Sequence, residues 1–260
     1  MRVKTLHEDV LVVTSLAWQT SSTLVKREAE AFAIDSPVFP DELDALRQIA
    51  AQANFQVAAL IATHADWDHL LGSYAFGDVP LGVAENTAER IEREREQIAT
   101  QLIEFDDEHY IERPSFELPQ LQHLPVPGKC ELGSDELEII PTEGHTQDGL
   151  AVHIPWAKTL VCGDYLSPVE IPTLSDGDID AYLRTLKAFE AVLGNVEHVV
   201  PGHGKPITAE KASEILEEDR TYLQALATEG EEAALPGDRN TPVQAELHLA
   251  NVSSVSSWPN

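Results

Sequence analysis

A short apolar run followed at once by a cluster of polar side chains places the strongest constraint on this chain. Residues 57–62, VAALIA, carry no charge and predict a strand that is covered on both faces. The next seven residues, THADWDH, hold four side chains that can bind metals, namely His64, Asp66, Asp68 and His69. Because a sheet holds the ends of its strands rigid, the loop after this strand is a natural place for a metal centre.

Three later segments repeat this pattern, each just after a predicted strand. EGHT contains His145, CGDY contains Asp164 and PGHG contains His203. Imidazole and carboxylate groups together suit zinc, iron or manganese at neutral pH. One histidine between glycines is a weak signal, but four such segments in one chain favour a metal centre over unrelated loop residues.

The rest of the chain predicts a mixed α/β fold. Strand-like segments occur both as hairpins and as strand–helix–strand units, which favours a layered fold over a purely parallel sheet. Apolar residues at helical spacing predict four helices, at 40–54, at 86–105 with Asn86 as its cap, at 178–193 and at 208–228.

Composition and charge exclude some classes of partner. The chain has 45 acidic and 17 basic residues, a formal charge of −28, so its surface repels nucleic acid. No apolar run is long enough to span a membrane, and the N-terminus is a poor signal peptide because His7, Glu8 and Asp9 interrupt it early. We therefore expect a cytoplasmic protein with Cys130 and Cys162 reduced, and the oligomeric state stays open.

The cluster at 64–69 resembles a known signature. It is similar to the HxHxDH motif of the metallo-β-lactamase fold superfamily, whose members include glyoxalase II, quorum-quenching lactonases, RNase Z and flavo-diiron proteins. The later His145, Asp164 and His203 match the family's later ligands, and the resemblance spans about Val10 to His203. It implies a four-layer αββα sandwich with metals at one edge. The catalytic domain would cover 1–229, and 230–260 would be an extension that is partly flexible or a short helix.

The resemblance also implies roles for individual residues. One metal would be held by His64, Asp66 and His145, the other by Asp68, His69 and His203, with Asp164 bridging both. Asp68 would double as the catalytic residue that orients the nucleophile or passes its proton to the leaving group. Supporting or substrate-contacting roles are expected for Asp35, Tyr165 and Lys205. The helix at 86–105 is expected to be either a lid or a simple outer-layer helix.

The activity implied is metal-dependent hydrolysis of a small-molecule substrate. A hydroxide between two divalent cations, zinc first with iron or manganese as alternatives, would cleave a small ester, thioester, lactone or related compound. The chain departs from the signature at Asp66, which stands where the family has its second histidine. A harder, anionic ligand moves the preference towards iron or manganese. Two alternatives therefore stay open: an iron-dependent redox enzyme, of the sulfur dioxygenase or flavo-diiron kind, and a non-catalytic metal-binding protein.

Overall fold

Two β-sheets form the centre of the molecule in the computed structural model, which describes residues 1–256. The first sheet has the order β1-β2-β3-β4-β5-β6-β7 and the second the order β13-β12-β11-β10-β9-β8. The strands of the first sheet are β1 (Arg2–His7), β2 (Val10–Thr14), β3 (Ser21–Arg27), β4 (Glu30–Ile34), β5 (Gln56–Ile61), β6 (Leu81–Val83) and β7 (Leu121–His123). Those of the second are β8 (Gly128–Leu132), β9 (Asp135–Pro141), β10 (Leu150–Ile154), β11 (Thr159–Val161), β12 (His198–Val200) and β13 (Ile207–Thr208).

Helices lie outside the two sheets. They are α1 (Pro40–Gln52), α2 (Gly72–Phe76), α3 (Glu85–His109), α4 (Ile179–Leu193), α5 (Ala209–Glu229) and α6 (Pro242–Ser256). Helices α1 to α3 pack on the first sheet, whereas α4 and α5 pack on the second. Across residues 1–256, no helix combines the length and the apolar character needed to cross a bilayer.

Strand β2 shows why the molecule has four layers. Its side chains alternate between two faces, and both faces are buried. Leu11 and Val13 pack in the apolar cluster under α1 to α3, whereas Val10 and Val12 pack against the second sheet. A third cluster lies between the second sheet and α4 and α5. Three apolar cores thus separate helix, sheet, sheet and helix, which confirms the predicted sandwich.

The loops that carry the candidate ligands lie at one shared edge of the two sheets. Strands β4 and β5 run parallel, so Asp35 and Thr63, which follow them, lie at the same edge. Strands β11 and β12 are also parallel, and Asp164 and His203 follow them. The backbone N–H of Leu150 donates to the carbonyl of Thr63 at 2.7 Å and joins the two sheets there.

Several predicted boundaries shift in the structure. Helix α3 begins at Glu85 and ends where Tyr110 turns to a φ of 56°. The expected cap at Asn86 is wrong, because Ala84 occupies that position and the Asn86 amide donates to the Gln147 carbonyl at 3.2 Å. Strands β1, β7, β8 and β13 were not predicted. The extension contains α6, its residues 257–260 lie outside the described part, and the division at 229 stays a prediction.

Candidate metal centre

The seven side chains that the sequence predicts to bind metals converge at the shared edge of the two sheets. They form a first group, His64, Asp66, His145 and Asp164, and a second group, Asp68, His69 and His203. Within each group the candidate ligand atoms lie within 4.8 Å of one another. The first sheet supplies the loop after β5, and the second supplies the loops after β9, β11 and β12. The candidate centre therefore lies across the junction between the sheets.

Backbone carbonyls fix the orientation of two of the imidazole rings. Nδ1 of His145 lies 3.1 Å from the carbonyl oxygen of Thr173, and Nδ1 of His203 lies 3.2 Å from that of Trp18. Since a carbonyl can only accept a hydrogen bond, each Nδ1 carries the proton. When the ring is neutral, its Nε2 has the free lone pair and faces the centre, where it can bind either a cation or a second proton.

Asp35 holds the other two imidazoles, that of His64 through Thr63 and that of His69 directly. Its backbone has a φ of 56° at the end of β4. Its carboxylate accepts hydrogen bonds from the Thr63 N–H at 2.8 Å and from the Thr63 hydroxyl at 2.9 Å. The Thr63 hydroxyl also lies 3.0 Å from His64 Nδ1. His69 Nδ1 lies 3.1 Å from Asp35 Oδ2, a distance suited to an ion pair although the angle is poor for a hydrogen bond.

The first group has the spacing of a metal site. Asp66 Oδ2 lies 3.5 Å from His64 Nε2 and 3.4 Å from His145 Nε2. Asp164 Oδ2 lies 3.7 Å and 3.4 Å from the same two nitrogens. Ligands of a tetrahedral zinc ion with bonds of about 2.0 Å are separated by roughly 3.3 Å. The four atoms are therefore close to that arrangement.

The second group also lies beside Asp164. Asp68 Oδ2 is 3.6 Å from His69 Nε2 and 3.5 Å from His203 Nε2. Asp164 directs Oδ1 to within 3.3 Å of His69 Nε2 and Oδ2 to within 3.3 Å of His203 Nε2. Asp164 is thus in reach of all four imidazoles.

Unpaired buried atoms indicate that the centre fits cations. Nε2 of His64, His69 and His145 and Oδ1 of Asp164 are buried and have no hydrogen-bond partner. Buried polar atoms in native proteins are almost always paired, so these atoms call for a ligand. Three of them are nitrogen lone-pair donors and one is an anionic oxygen, which is a donor set suited to divalent metals.

The carboxylates of the centre also raise the pKa values of the His145 and His203 rings. Burial opposes a charged His145, but Asp66 and Asp164 outweigh it and raise its pKa to about 9. Burial likewise opposes a charged His203, and Asp164 and Glu170 outweigh it and raise its pKa to about 10. The centre favours positive charge, which protons supply when no cation is bound.

Comparison with known proteins gives the family. A family model described as the metallo-beta-lactamase superfamily matches residues 16–203, a stretch that contains all seven side chains. The chain belongs to the metallo-beta-lactamase superfamily. Metallo-beta-lactamase type 2 from Pseudomonas aeruginosa is 23% identical over 235 residues, which are 87% of this chain and 85% of that protein.

Solved structures of the superfamily share the fold. A metallo-beta-lactamase family protein from Thermus thermophilus superposes with a TM-score of 0.69 at 18% identity and covers 96% of this chain and 93% of its own. VMB-1, solved at pH 5.5, gives a TM-score of 0.63 at 16% identity and covers 83% of this chain and 94% of its own. Membership makes the chain a metal-dependent hydrolase, and the fold implies divalent metal ions.

A cavity of about 410 Å³ opens beside the centre. Its walls are formed by Asp66, Trp67, Asp68, Arg90, Glu94, Gln97, Gln101, Ser175 and Asp176. Arg90, Glu94, Gln97 and Gln101 share one face of α3 because they recur at helical spacing. The helix predicted as a lid or an outer layer therefore forms a wall of this cavity while its apolar face packs on the first sheet.

Two residues around the centre, Arg90 and Asp148, were not predicted from the sequence. Arg90 donates from Nη2 to Asp66 Oδ1 at 2.7 Å and from Nη1 to Asp148 Oδ1 at 2.8 Å. Asp148 also accepts from the backbone N–H of Ala65 at 3.0 Å and so ties the ligand loop to the second sheet. Arg90 lies in the charged run ERIEREREQ, which is typical of solvated surface. Its spacing from Gln97 and Gln101 was the only signal of a shared functional face.

The supporting residues predicted from the sequence lie in different places. Tyr165 is buried, and its hydroxyl accepts from the backbone N–H of His145 at 3.1 Å. Lys205 is exposed and lies outside the cavity wall. Trp67 packs 5.6 Å from Trp18 and 5.0 Å from Phe105, between ring centroids, and also lines the cavity. It can thus pack beneath the loop and contact a bound molecule.

Proposed function

We propose that this chain hydrolyses a small ester, thioester, lactone or related compound at a centre that holds two divalent cations. His64, Asp66 and His145 would hold one cation, and Asp68, His69 and His203 the other, with Asp164 shared by both. The observation that carries the proposal is the set of unpaired imidazole nitrogens facing one another around Asp164. When bound, the cations supply a Lewis acid for the substrate oxygen and lower the pKa of water.

The protein's own residues would orient the reaction. Asp68 lies in the cavity wall with Oδ2 turned towards the centre, 3.5 Å from His203 Nε2. Its carboxylate would orient the attacking water and accept its proton, and then pass the proton to the leaving group. The Thr20 hydroxyl, 3.5 Å from Asp68 Oδ2, lies at the margin of hydrogen-bond distance and limits rotation of the carboxylate.

The cavity supports a small and polar substrate. Its volume of about 410 Å³ is in the lower part of the range for ligand pockets, which is roughly 300–1,000 Å³. Gln97, Gln101 and Ser175 offer amide and hydroxyl groups along the wall. Each of the three side-chain nitrogens of Arg90 already donates to a carboxylate, so Arg90 offers little positive charge to an anionic substrate group.

The test is a panel of esters, thioesters, lactones and phosphodiesters, assayed with protein loaded separately with zinc, iron(II) or manganese. We expect turnover of at least one acyl substrate and its loss in Asp68→Asn. A matched control is His123→Ala, which removes an exposed histidine of β7 that belongs to neither group of candidate ligands. If loaded wild-type protein cleaves none of the panel, the non-catalytic alternative is favoured. Cleavage that survives in Asp68→Asn contradicts the role of Asp68.

Asp66 favours a second candidate, an iron-dependent redox enzyme. A carboxylate at this position is a harder ligand than the imidazole of the family signature, and it shifts preference towards iron. Protein purified without oxygen would then contain iron and would consume oxygen with a sulfur-containing or reduced substrate. Zinc content together with acyl hydrolysis, and no oxygen uptake, would exclude this candidate.

A further inference from the structure

The side chain of Arg90 joins three carboxylates next to the candidate metal centre. Besides Asp66 and Asp148, it donates from Nε to Glu94 Oε2 at 2.9 Å. Only 12% of the side chain is exposed. Burial opposes its charge, but Asp66 and Asp148 outweigh burial and raise its pKa above the usual value. Arg90 is therefore a mostly buried cation in the cavity wall, and each of its three side-chain nitrogens donates to a carboxylate.

Asp66 divides its two oxygens between the centre and Arg90. Oδ2 faces the Nε2 atoms of His64 and His145, whereas Oδ1 accepts the hydrogen bond from Arg90 Nη2. The carboxylate thus presents a single oxygen to the centre, as an imidazole would present a single nitrogen. A carboxylate without such a partner is free to turn and offer both oxygens.

Arg90 offsets part of the negative charge of Asp66. Replacing a neutral imidazole by Asp66 adds one negative charge among the candidate ligands, next to Asp68 and Asp164. Arg90 places one positive charge 2.7 Å from that carboxylate and shares it with Glu94 and Asp148. The Asp66 carboxylate is therefore partly neutralised at the oxygen that faces away from the centre.

We propose that Arg90 is a positioning residue that converts Asp66 into a single-oxygen, partly charge-compensated substitute for the signature's second histidine. This inference rests on the proposed ligation of a cation by Asp66. It explains how the chain departs from the signature and keeps the spacing of the ligand atoms. It also assigns Arg90 to the metal centre and not to recognition of an anionic substrate.

The first test measures metal binding without any substrate. Metal-free wild-type protein and Arg90→Gln are titrated with zinc against a competing chelator, and with cobalt(II) while its visible spectrum is recorded. We expect the weaker of two zinc affinities to fall by roughly 10- to 100-fold in Arg90→Gln, the usual effect of losing a residue that orients a ligand. The cobalt spectrum should change with it. Equal affinities and spectra overturn the proposal.

The matched control is Arg93→Gln on the same helix. Arg93 pairs with Glu94 at 2.7 Å, its side chain is 59% exposed, and it has the same charge as Arg90. We expect zinc affinity within about twofold of wild type. An effect as large as that of Arg90→Gln would mean that general surface charge is responsible, and would also overturn the proposal.

The decisive comparison repeats Arg90→Gln in an Asp66→His background. A neutral imidazole needs no compensating charge, so the second substitution should then change zinc affinity by less than about threefold. If Arg90→Gln is as harmful there as in wild type, Arg90 acts through Asp148 and the ligand loop, and the proposal is wrong.

If circular dichroism shows that the double variant does not fold, Arg90→Lys replaces it as the test of charge compensation. Lysine retains the positive charge beside Asp66, and we expect it to recover at least half of the lost affinity on a logarithmic scale. An equal loss in the Lys and Gln variants contradicts charge compensation.

Two bound cations in wild type without hydrolysis would refute the proposed function alone, whereas a wild-type chain that binds no cation would refute both.

Discussion

The two groups of side chains at the centre differ in how they are held. In the second group, the His69 side chain is fully buried and lies 3.1 Å from Asp35, which follows a strand of the first sheet. In the first group, the Asp66 side chain is 25% exposed and is held by Arg90 from α3. Loops of the sandwich hold the histidines of both groups, whereas an outer helix holds Asp66. Asp66 is also the position at which the chain departs from its family's signature.

Removing Asp164 should have the largest effect, because it is the residue common to both groups. We expect Asp164→Ala to bind at most one cation and to lose hydrolysis by about 1,000-fold or more, since losing a positioned cation costs several kcal/mol of transition-state stabilisation. Elemental analysis and the acyl-substrate assay measure both. Two cations bound by this variant would contradict a shared ligand.

Gly202→Ala should disturb the same carboxylate without removing it. A Cβ at this position would overlap Asp164 Oδ1 and lie 3.0 Å from the Gly163 carbonyl carbon. We expect metal affinity to fall by roughly 10- to 100-fold, as for other residues that orient ligands. Gly194→Ala is the control, because its Cβ would meet nothing within 4 Å. Equal affinities in the two variants would show that Asp164 has room to move.

Asp66→His should change the relative affinity of the first group for zinc and iron(II). An imidazole is a softer, neutral ligand, so we expect the ratio of zinc to iron(II) affinity to rise by about tenfold. Competition between the two metals, followed by elemental analysis, measures this ratio. Unchanged affinities for both metals would mean that Asp66 is not a ligand.

The smallest expected effect is on the stability of the metal-free protein as pH changes. Carboxylates raise the pKa of His145 from 6.5 to about 9 and that of His203 from 6.5 to about 10. The folded state then holds protons that the unfolded state releases, so this stabilisation is complete below about pH 6.5 and is lost as pH rises towards 9 or 10. We expect the melting temperature in chelator to fall by several degrees from pH 6 to pH 10. The metal-loaded protein, whose rings carry no such protons, should lack this fall, and parallel curves would contradict it.

The candidate ligands of both groups were more predictable from the sequence than the residues that hold them. The four candidate ligands of residues 64–69 lie in one short segment after an apolar strand, and parallel strands bring the loops of Asp164 and His203 to the same edge. Local patterns and strand direction were enough to predict that these side chains meet. The helix and strand pattern likewise predicted the layered fold.

Arg90 could not be assigned because its role depends on the position of α3 relative to the ligand loop. In sequence, Arg90 and Asp66 are 24 residues apart, with no pattern that links them. The same holds for Thr173, whose carbonyl fixes His145 from a loop between β11 and α4. Such contacts arise from tertiary packing and leave no periodic signal.

The junction between the two sheets has a further consequence. Ligand side chains come from both sheets, and the backbone contact between Leu150 and Thr63 closes the same edge. A pair of bound cations would therefore link the two sheets of the sandwich through their loops. The loop at 142–149 carries His145, so we expect limited proteolysis to cut it faster in metal-free protein than in metal-loaded protein.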